Sequence, residues 1–289
     1  ILRIGGEKNA SNAFLKYYEI AYSFLQPMRD LPPRVVAFFN AELPGSSMVS
    51  FNHYFRTIRP DIDYSWYASS LWSNELVEGS YGLGDSYGYV ANNRDRWLMN
   101  DTNNGDMTSV NNILDIASRI GPRSTGVSAV VPGAADPGTG VDIYSHDAGI
   151  DVSGGESGDV RYDVQEESNM WLHLGCALAG FLTLRTGPAT LFIAKQYTFY
   201  RTFTWQLILL YASLFDRFYL TKPLTSRPTN SEIYLIGVGF RGCPAHISEF
   251  MRRRLQTRDS SPFIPETTAR LMPAIGALRT FARNVYGQQ

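Results

Sequence analysis

Hydrophobic positions along this chain fall into two patterns, a helical stripe and a short continuous run. After residue 11, apolar side chains recur at helical spacing until Pro32 and Pro33, which predicts an N-terminal helix. Residues 34–39 follow, and after Arg34 they are continuously apolar, the pattern of a strand buried on both faces. A second helical stripe begins after Ser47.

The same alternation continues to the end of the chain. Residues 56–110 carry only short strand signals and long loops, and the stretches 121–140 and 151–159 are rich in glycine. The further strands predicted are 141–145, 190–194, 215–221 and 233–238. The further helices predicted are 111–120, 165–184, one that follows strand 190–194 and ends near residue 214, 244–256 and 267–285. This order predicts an α/β fold with a mostly parallel sheet, helices on both faces and an antiparallel strand from a C-terminal hairpin.

Composition narrows the class of protein without naming it. The 289 residues are 44% hydrophobic, which suits one large α/β domain. The formal net charge of -1 gives no overall indication of a nucleic-acid partner. Any such partner must therefore meet a local basic face. Cys176 and Cys243 are expected to be free thiols in a reducing compartment, although a disulfide stays open. We find no signal peptide, and residues 171–194 are too interrupted to span a membrane, so a soluble protein is expected.

Lys195 closes an apolar strand, where a cation is costly and calls for a chemical reason. Three more charged side chains stand where the same site could collect them: Lys16 in the first helix, Asp147 after a strand and Glu232 before one. Two lysines and two carboxylates at strand ends indicate a proton-transfer site. An aspartate at a strand end can equally be a simple turn former.

Two loops are candidates for holding a cofactor. The loop after the first strand offers backbone amides at a helix start, which can bind a carboxylate or phosphate; its candidate residues are Glu42, Pro44, Gly45, Ser46 and Ser47. Asp106, in the stretch 103–108, could contact a ribose or an adenine edge. An ordinary turn explains either loop as well.

The segment 222–234, Lys-Pro-Leu-Thr-Ser-Arg-Pro-Thr-Asn-Ser-Glu-Ile-Tyr, resembles the Lys-Pro-x-x-Ser-Arg-x-x-Ser-x-Glu-x-Tyr signature of FtsJ-like ribose 2′-O-methyltransferases. Four further stretches resemble the family's motifs in the same order. Residues 11–16 look like its first-lysine helix, 42–45 like its methionine loop, 146–151 like the Asp-Gly-Gly-Phe-Asp stretch of the mRNA-cap branch, and 192–195 like its second-lysine strand.

The resemblance implies a Rossmann-like fold, S-adenosylmethionine as cofactor and a catalytic tetrad of Lys16, Asp147, Lys195 and Glu232. Lys195 would lie nearest the ribose 2′-hydroxyl and act as base if the Lys16 cation lowers its pKa. Asp147 and Glu232 oppose that shift, and the sequence leaves the outcome open. No metal is required, and the histidines show no zinc spacing with either cysteine.

The resemblance also implies a division of the chain and a substrate. Residues 1–30 would carry the first lysine, 31–242 would form the methyltransferase core, and 243–289 a helical extension. The substrate implied is RNA rather than DNA, with the first transcribed nucleotide of capped mRNA (cap-0 to cap-1) favoured. An rRNA or tRNA target and a non-catalytic RNA-binding or processivity subunit remain alternatives.

Three departures from the family pattern are Ser46 for a glycine, Ala148 for a glycine and Asn12 for an arginine. The divergent cofactor loop resembles versions from large cytoplasmic DNA viruses, which implies a cytoplasmic location, in a viral factory or virion, and capping or polymerase proteins as partners. For the RNA surface, the candidates are Arg227, Arg252, Arg253 and Arg254, with a solvated helix face as the alternative.

Overall fold

The computed structural model describes residues 11–72, 85, 87–122, 140–150, 162–228, 230–265 and 272–286. The strands are β1 (Arg34–Asn40), β2 (Asp63–Ser69), β3 (Ile143–His146), β4 (Gly187–Gln196), β5 (Phe215–Thr221) and β6 (Ile233–Phe240). The helices are α1 (Asn12–Leu25), α2 (Ser46–Ile58), the short α3 (Tyr89–Asn92), α4 (Val110–Ile120), α5 (Tyr162–Thr183), α6 (Thr202–Ala212), α7 (Ala245–Thr257) and α8 (Met272–Tyr286).

The strands form one sheet in the order β2-β1-β3-β4-β6-β5. The neighbours from β2 to β4 are parallel, whereas β6 runs antiparallel to both β4 and β5. Register aligns the carboxyl ends of the parallel strands, because Asn40 is paired with Ser69 and with His146, and His146 with Ala194. Residues that follow these strands therefore meet at one edge of the sheet, where ligands bind in open α/β folds.

Alternation along β1 explains why both faces of the sheet are covered. Val36 and Phe38 point into a cluster shared with α4 and α5, whereas Val35, Ala37 and Phe39 point into a second cluster shared with α1 and α2. Successive side chains of a strand face opposite sides, so a continuously apolar strand needs helices on both. The predicted fold class is confirmed: the sheet is mostly parallel, the antiparallel strand is β6 of the hairpin, and helices lie on both faces.

Several predicted boundaries differ from those of the structure. β2 lies in the region that showed only short strand signals, β4 begins three residues earlier than predicted at Gly187, and β6 continues to Phe240. The glycine-rich stretches fall largely in residues 123–139 and 151–161, which lie outside the described residues, as do residues 267–271 of the last predicted helix. Both cysteines are free thiols. Among the described helices, none is both long and apolar enough for a transmembrane segment.

Gly175 of α5 tests the packing of the helix layer on the sheet. A Cβ at this position would lie 1.7 Å from the carbonyl oxygen of Met107, so Gly175→Ala forces helix and loop apart. We expect it to lower the free energy of unfolding by about 3 kcal/mol, measured by chemical denaturation. Gly276→Ala in α8 is the matched control, because no atom lies within 4 Å of its Cβ position. The control should leave stability unchanged or raise it by about 0.5–1 kcal/mol; equal losses in both variants would contradict this account of the packing.

Candidate active site

Two buried ion pairs occupy the edge at which the parallel strands end. Lys195 Nζ lies 2.9 Å from Asp147 Oδ1, and Lys16 Nζ donates a hydrogen bond to Glu232 Oε1. Lys16, Lys195 and Glu232 are each 9% exposed, and Asp147 is half-buried. The four residues that the sequence singled out therefore come together as two lysine–carboxylate pairs.

Different elements bring each charged group to this edge. Lys195 is near the end of β4, Asp147 follows β3 directly, and Glu232 precedes β6, which starts at the same edge because it runs antiparallel to β4. Lys16 comes from α1, whose first turn is capped by Ser11 Oγ, which accepts a hydrogen bond from the amide of Phe14 at 3.1 Å. The cap fixes where α1 begins and hence where Lys16 lies.

The loop before Glu232 is held by the signature segment itself. Lys222 Nζ donates to the backbone carbonyls of Asn230 at 2.6 Å and Glu232 at 3.1 Å. The Glu19 carboxylate accepts the amides of Leu224 and Thr225 at 2.8 and 3.1 Å. Because α1 supplies both Glu19 and Lys16, this helix is tied to the loop that presents Glu232.

Opposing electrostatic effects set the protonation of the site. Burial alone would lower the pKa of Lys195, but the attraction of Asp147, with smaller contributions from Tyr197 and Glu232, raises this pKa well above its ordinary value. Burial would raise the pKa of Glu232, yet the cations of Lys16 and Lys195 lower it. The question left open by the sequence is thus answered: attraction by the carboxylates outweighs burial, so the pKa of Lys195 is raised and Lys195 is an ammonium.

Three tyrosines that sequence reasoning did not assign complete this cluster. Tyr234 donates its hydroxyl to Glu232 Oε1 at 2.7 Å, and Tyr17 donates to the carbonyl of His146 at 3.3 Å. The ring of Tyr197 lies 5.6 Å from Lys195 Nζ. Tyr234 had a signal in the sequence, since it lies two residues after Glu232 and strand residues at that spacing share a face. The other two contacts are tertiary.

A pair of buried histidines supports the turn that carries Asp147. Burial lowers the pKa of His146 well below its ordinary value and that of His173 to about 4, so both rings are neutral. His173 Nε2 lies 3.2 Å from the carbonyl of Ala148, and its Nδ1 lies 3.2 Å from Gln196 Oε1. His173 thereby links the turn after β3 to the end of β4. In the part of the chain that the structure describes, no three His, Cys, Asp or Glu side chains gather as a metal centre requires.

The loop after β1 forms a tight turn into α2. Gly45 has φ 108°, and a Cβ there would lie 2.6 Å from the ring of Tyr89. Glu42 is 3% exposed and accepts hydrogen bonds from the Met48 amide at 2.9 Å and from the Ser47 hydroxyl. Glu42 therefore caps α2 from within the loop. Ser46 Oγ lies 3.0 Å from Ser11 Oγ, which joins this loop to the start of α1.

Asp106 lies at the same edge of the sheet. Its carboxylate accepts the Thr108 amide at 2.8 Å, and the Trp72 amide donates to the neighbouring Asn104 carbonyl at 2.8 Å. Gly105 packs so closely that a Cβ would lie 1.9 Å from the carbonyl oxygen of Ser70. The predicted turn is thus present and is pressed against the end of β2.

Comparison with known proteins assigns the family. Residues 85–240 match the family described as FtsJ-like methyltransferase. The chain belongs to this family. It is 35% identical over 235 residues to "Probable methyltransferase EP424R" of African swine fever virus (isolate Warthog/Namibia/Wart80/1980), an alignment that covers 78% of this chain and 48% of the viral protein. The predicted likeness to proteins of large DNA viruses is confirmed by this relative and by protein L511 of Acanthamoeba polyphaga mimivirus, which is 27% identical over 237 residues, 80% of this chain and 26% of that protein.

More distant relatives include a cellular enzyme. The chain is 25% identical over 234 residues to "Cap-specific mRNA (nucleoside-2'-O-)-methyltransferase 2" of Mus musculus, covering 80% of this chain and 28% of that protein. The chain thus spans about half the length, or less, of the curated relatives that it matches. Among solved structures, human methyltransferase-like protein 13 in complex with SAH aligns with a TM-score of 0.39 and 12% identity over 89% of this chain and 91% of that chain.

S-adenosylmethionine is the methyl donor of FtsJ-like methyltransferases, and the residues at this edge fit it. Gly45 has a left-handed backbone and packs against the Tyr89 ring, and it directly precedes the first amides of α2, a helix start that can bind an anionic group. The Ser69 hydroxyl is fully buried at the end of β2 and has no hydrogen-bond partner within the described residues. An unpaired buried polar group at this edge is what a polar ligand would satisfy.

The four arginines predicted to face RNA differ in their surroundings. Arg254 pairs with Asp259 at 2.6 Å, and its guanidinium lies 5.1 Å from the ring centre of Phe250, with its side chain only 13% exposed. Arg252 pairs with Glu249 on α7 at 2.5 Å. Arg227 and Arg253 are exposed. Arg254 is therefore engaged in contacts within the protein. Arg252 pairs with a residue of its own helix, as expected of a solvated helix face.

Glu42 gives the FtsJ-like site a measurable pH dependence of stability. Burial raises the pKa of Glu42 from 4.5 to about 8, so the folded protein binds this proton more tightly than the unfolded chain. The resulting stabilisation is complete below about pH 4.5 and is lost as the pH rises through about 8. We expect the contribution of Glu42 to the wild-type unfolding free energy to fall by up to about 1.4 kcal/mol per pH unit just below pH 8 and to level off by about pH 9.

Glu42→Gln is the test of that prediction, because a glutamine carbonyl can still accept the Met48 amide but does not ionise. The variant should show a flat profile of unfolding free energy over the same pH range. Parallel profiles for the two proteins would show that Glu42 is ionised in the folded state at neutral pH.

Proposed function

We propose that this chain methylates a ribose 2′-oxygen of RNA, at the first transcribed nucleotide of capped mRNA. The observation that carries the proposal is the pair of buried contacts, Lys195 with Asp147 and Lys16 with Glu232, at the ligand-binding edge of an FtsJ-like chain. These are the four residues that the family's tetrad predicts. A non-catalytic subunit would have no reason to keep two lysines in a buried site.

The chemistry required is modest but specific. Bound S-adenosylmethionine supplies a methyl group that its sulfonium already activates. A ribose 2′-hydroxyl is a weak acid and a poor nucleophile, so the protein must align the oxygen for displacement and take up its proton. In the proposed reaction Lys195 lies nearest that hydroxyl.

The raised pKa of Lys195 changes how this role is fulfilled. In the resting site the ammonium pairs with Asp147 and cannot accept a proton. A positively charged ligand at the residues after β1 and β2 would disfavour the ammonium by like-charge repulsion and lower the pKa of Lys195. Proton loss from Lys195 is then coupled to ligand binding, which prepares the amine as base only when the substrates are present.

The second pair holds the geometry in this proposal. Lys16 keeps Glu232 ionised, and Tyr234 donates to the same carboxylate oxygen. Glu232 in turn is one of the groups whose attraction raises the pKa of Lys195. Lys16 therefore acts on Lys195 indirectly, through the Glu232 carboxylate that it holds.

Support for capped mRNA comes from the relative named for cap-specific mRNA methylation. Support for a viral setting comes from the African swine fever virus relatives. A cytoplasmic location and capping or polymerase proteins as partners are part of the same proposal. Residues 1–30, 31–242 and 243–289 are proposed as first-lysine segment, methyltransferase core and helical extension.

Transfer of a labelled methyl group to short RNA tests the substrate. We expect incorporation into capped RNA with an unmodified first nucleotide and none into the same RNA already carrying a 2′-O-methyl group there. Equal rates on capped and uncapped RNA would remove the cap assignment, and no cofactor binding by calorimetry at millimolar concentration would remove the enzyme assignment.

Two variants, Lys195→Ala and Lys195→Arg, distinguish a role of Lys195 as general base from a role as positive charge. Loss of a general base should reduce turnover about a thousandfold in Lys195→Ala, with the calorimetric affinity for S-adenosylmethionine nearly unchanged. Lys195→Arg keeps the cation but cannot lose its proton near neutral pH, so its turnover should be equally impaired. The variant should also lack the rise of rate with pH that proton loss from Lys195 predicts for the wild type. An active Lys195→Arg variant with the wild-type pH profile would leave Lys195 a purely electrostatic role.

A further inference from the structure

A hollow of about 500 Å³ lies between the segment that follows β4 and helix α8. Aromatic side chains form much of its wall, namely Phe199, Tyr200 and Trp205 from the β4–α6 segment and Tyr286 from α8. Arg279 and Arg283 of α8 also line it. Neither the sequence motifs nor the tetrad accounts for this hollow.

The aromatic wall is held in place by hydrogen bonds to the backbone. The buried Glu166 carboxylate accepts the amides of Tyr200 at 2.8 Å and Arg201 at 2.9 Å, which fixes the start of α6. Tyr286 donates its hydroxyl to the carbonyl of Tyr197 at 2.9 Å. The ring of Tyr200 is nevertheless 66% exposed, 5.7 Å from the ring centre of Tyr286. A large aromatic surface is thus presented to solvent on an ordered backbone.

The charge of this hollow is positive. Arg279 and Arg283 are exposed and lie one helical turn apart, so they share a face of α8. Among the residues that the structure describes, no acidic side chain lines the hollow and neither arginine has a carboxylate partner. Unpaired guanidinium groups beside an exposed aromatic ring suit a ligand with both a flat ring and a phosphate.

The hollow is directly connected to the reaction site. Tyr197 contacts Lys195 through its ring and Tyr286 through its carbonyl. Tyr200 follows Lys195 by five residues, which limits their Cα separation to about 18 Å. A ligand that occupies both places must therefore be a chain, and it must place a ribose at Lys195 and a base or phosphate at Tyr200.

We propose that this hollow binds a nucleotide of the same RNA strand that is methylated, with its base stacked on Tyr200 and its phosphates contacted by Arg279 and Arg283. The inference rests on the RNA substrate proposed above. Two sources share this chemistry, the guanosine of a 5′ cap and a transcribed nucleotide near the target. A protein partner is disfavoured, since the exposed arginines would have to be matched by acidic groups as well as by an apolar side chain.

RNA binding by fluorescence anisotropy tests the proposal on the full chain. Tyr200→Ala should raise the Kd for a short RNA about tenfold, whereas Tyr200→Phe, which keeps the stacking surface, should bind as wild type does. Arg279→Ala should lower the slope of log Kd against log salt by about 0.7. Arg217→Ala, which removes an exposed arginine on edge strand β5, should leave the slope unchanged.

The source of the nucleotide follows from comparing capped with uncapped 5′-triphosphate RNA. A Tyr200→Ala loss confined to capped RNA assigns the hollow to the cap guanosine, and an equal loss on both assigns it to a transcribed nucleotide. Wild-type affinity and salt slope in both Tyr200→Ala and Arg279→Ala would overturn the proposal.

Failure of this inference is separable from failure of the proposed function. If the wild-type protein transfers methyl groups and the variants of the hollow keep wild-type RNA affinity and turnover, the proposed function stands. Only the proposal that the hollow binds a nucleotide is then rejected. Absence of any RNA binding or methylation by wild type would reject both. Cofactor affinity should be equal in all of these proteins, because none of the substituted residues lies at the cofactor loops.

Discussion

Mutual neutralisation of buried charges is the constraint on which this site depends. An isolated buried ion costs several kcal/mol, so a lysine at the end of an apolar strand is tolerated only with a carboxylate in contact. The structure meets this condition twice, with Lys195 on Asp147 and Lys16 on Glu232. Each pair joins elements distant in sequence, which means that the sheet register and the position of α1 must be correct before either charge can be buried.

This constraint also sets the resting protonation state. The contacts that stabilise the buried Lys195 ammonium are those that raise its pKa, so stability of the site and readiness for proton transfer oppose each other. In the proposed reaction, the positive charge of a bound ligand would lower the pKa of Lys195. A chain that relied on Lys16 alone to depress the pKa of Lys195 would fail, because Lys16 is itself paired with Glu232.

The sequence predicted the parts of the fold that local pattern controls. Apolar runs located β1 and β4 because these strands are buried along most of their length, and helical stripes located α1 and α4 because each helix buries one face. β2 was only weakly indicated since it is an edge strand with the mixed sequence Asp-Tyr-Ser-Trp-Tyr-Ala-Ser and a half-buried first part.

Within the site, the four charged residues were predictable from their motifs, but their combined effect on the pKa of Lys195 was not. The sign of the Lys195 pKa shift depends on distances to Asp147 and Glu232, and the contact with Tyr197 is made only when the chain turns after β4. Glu42 shows the same limit. Its position in the loop motif predicted cofactor binding, but the motif did not indicate that the Glu42 carboxyl group also caps α2.

The segment from Gln196 to Arg201 joins these features into one system. Gln196 contacts His173, which supports the turn of Asp147, and Tyr197 contacts both Lys195 and Tyr286. Tyr200 and Arg201 are held by Glu166 at the other end of the segment. The contacts from α8 to Tyr197, from Tyr197 to Lys195 and from Lys195 to Asp147 therefore form one continuous chain. If Lys195 is the base and the hollow binds an RNA nucleotide, as proposed, this chain of contacts would couple occupation of the hollow to the position of Lys195.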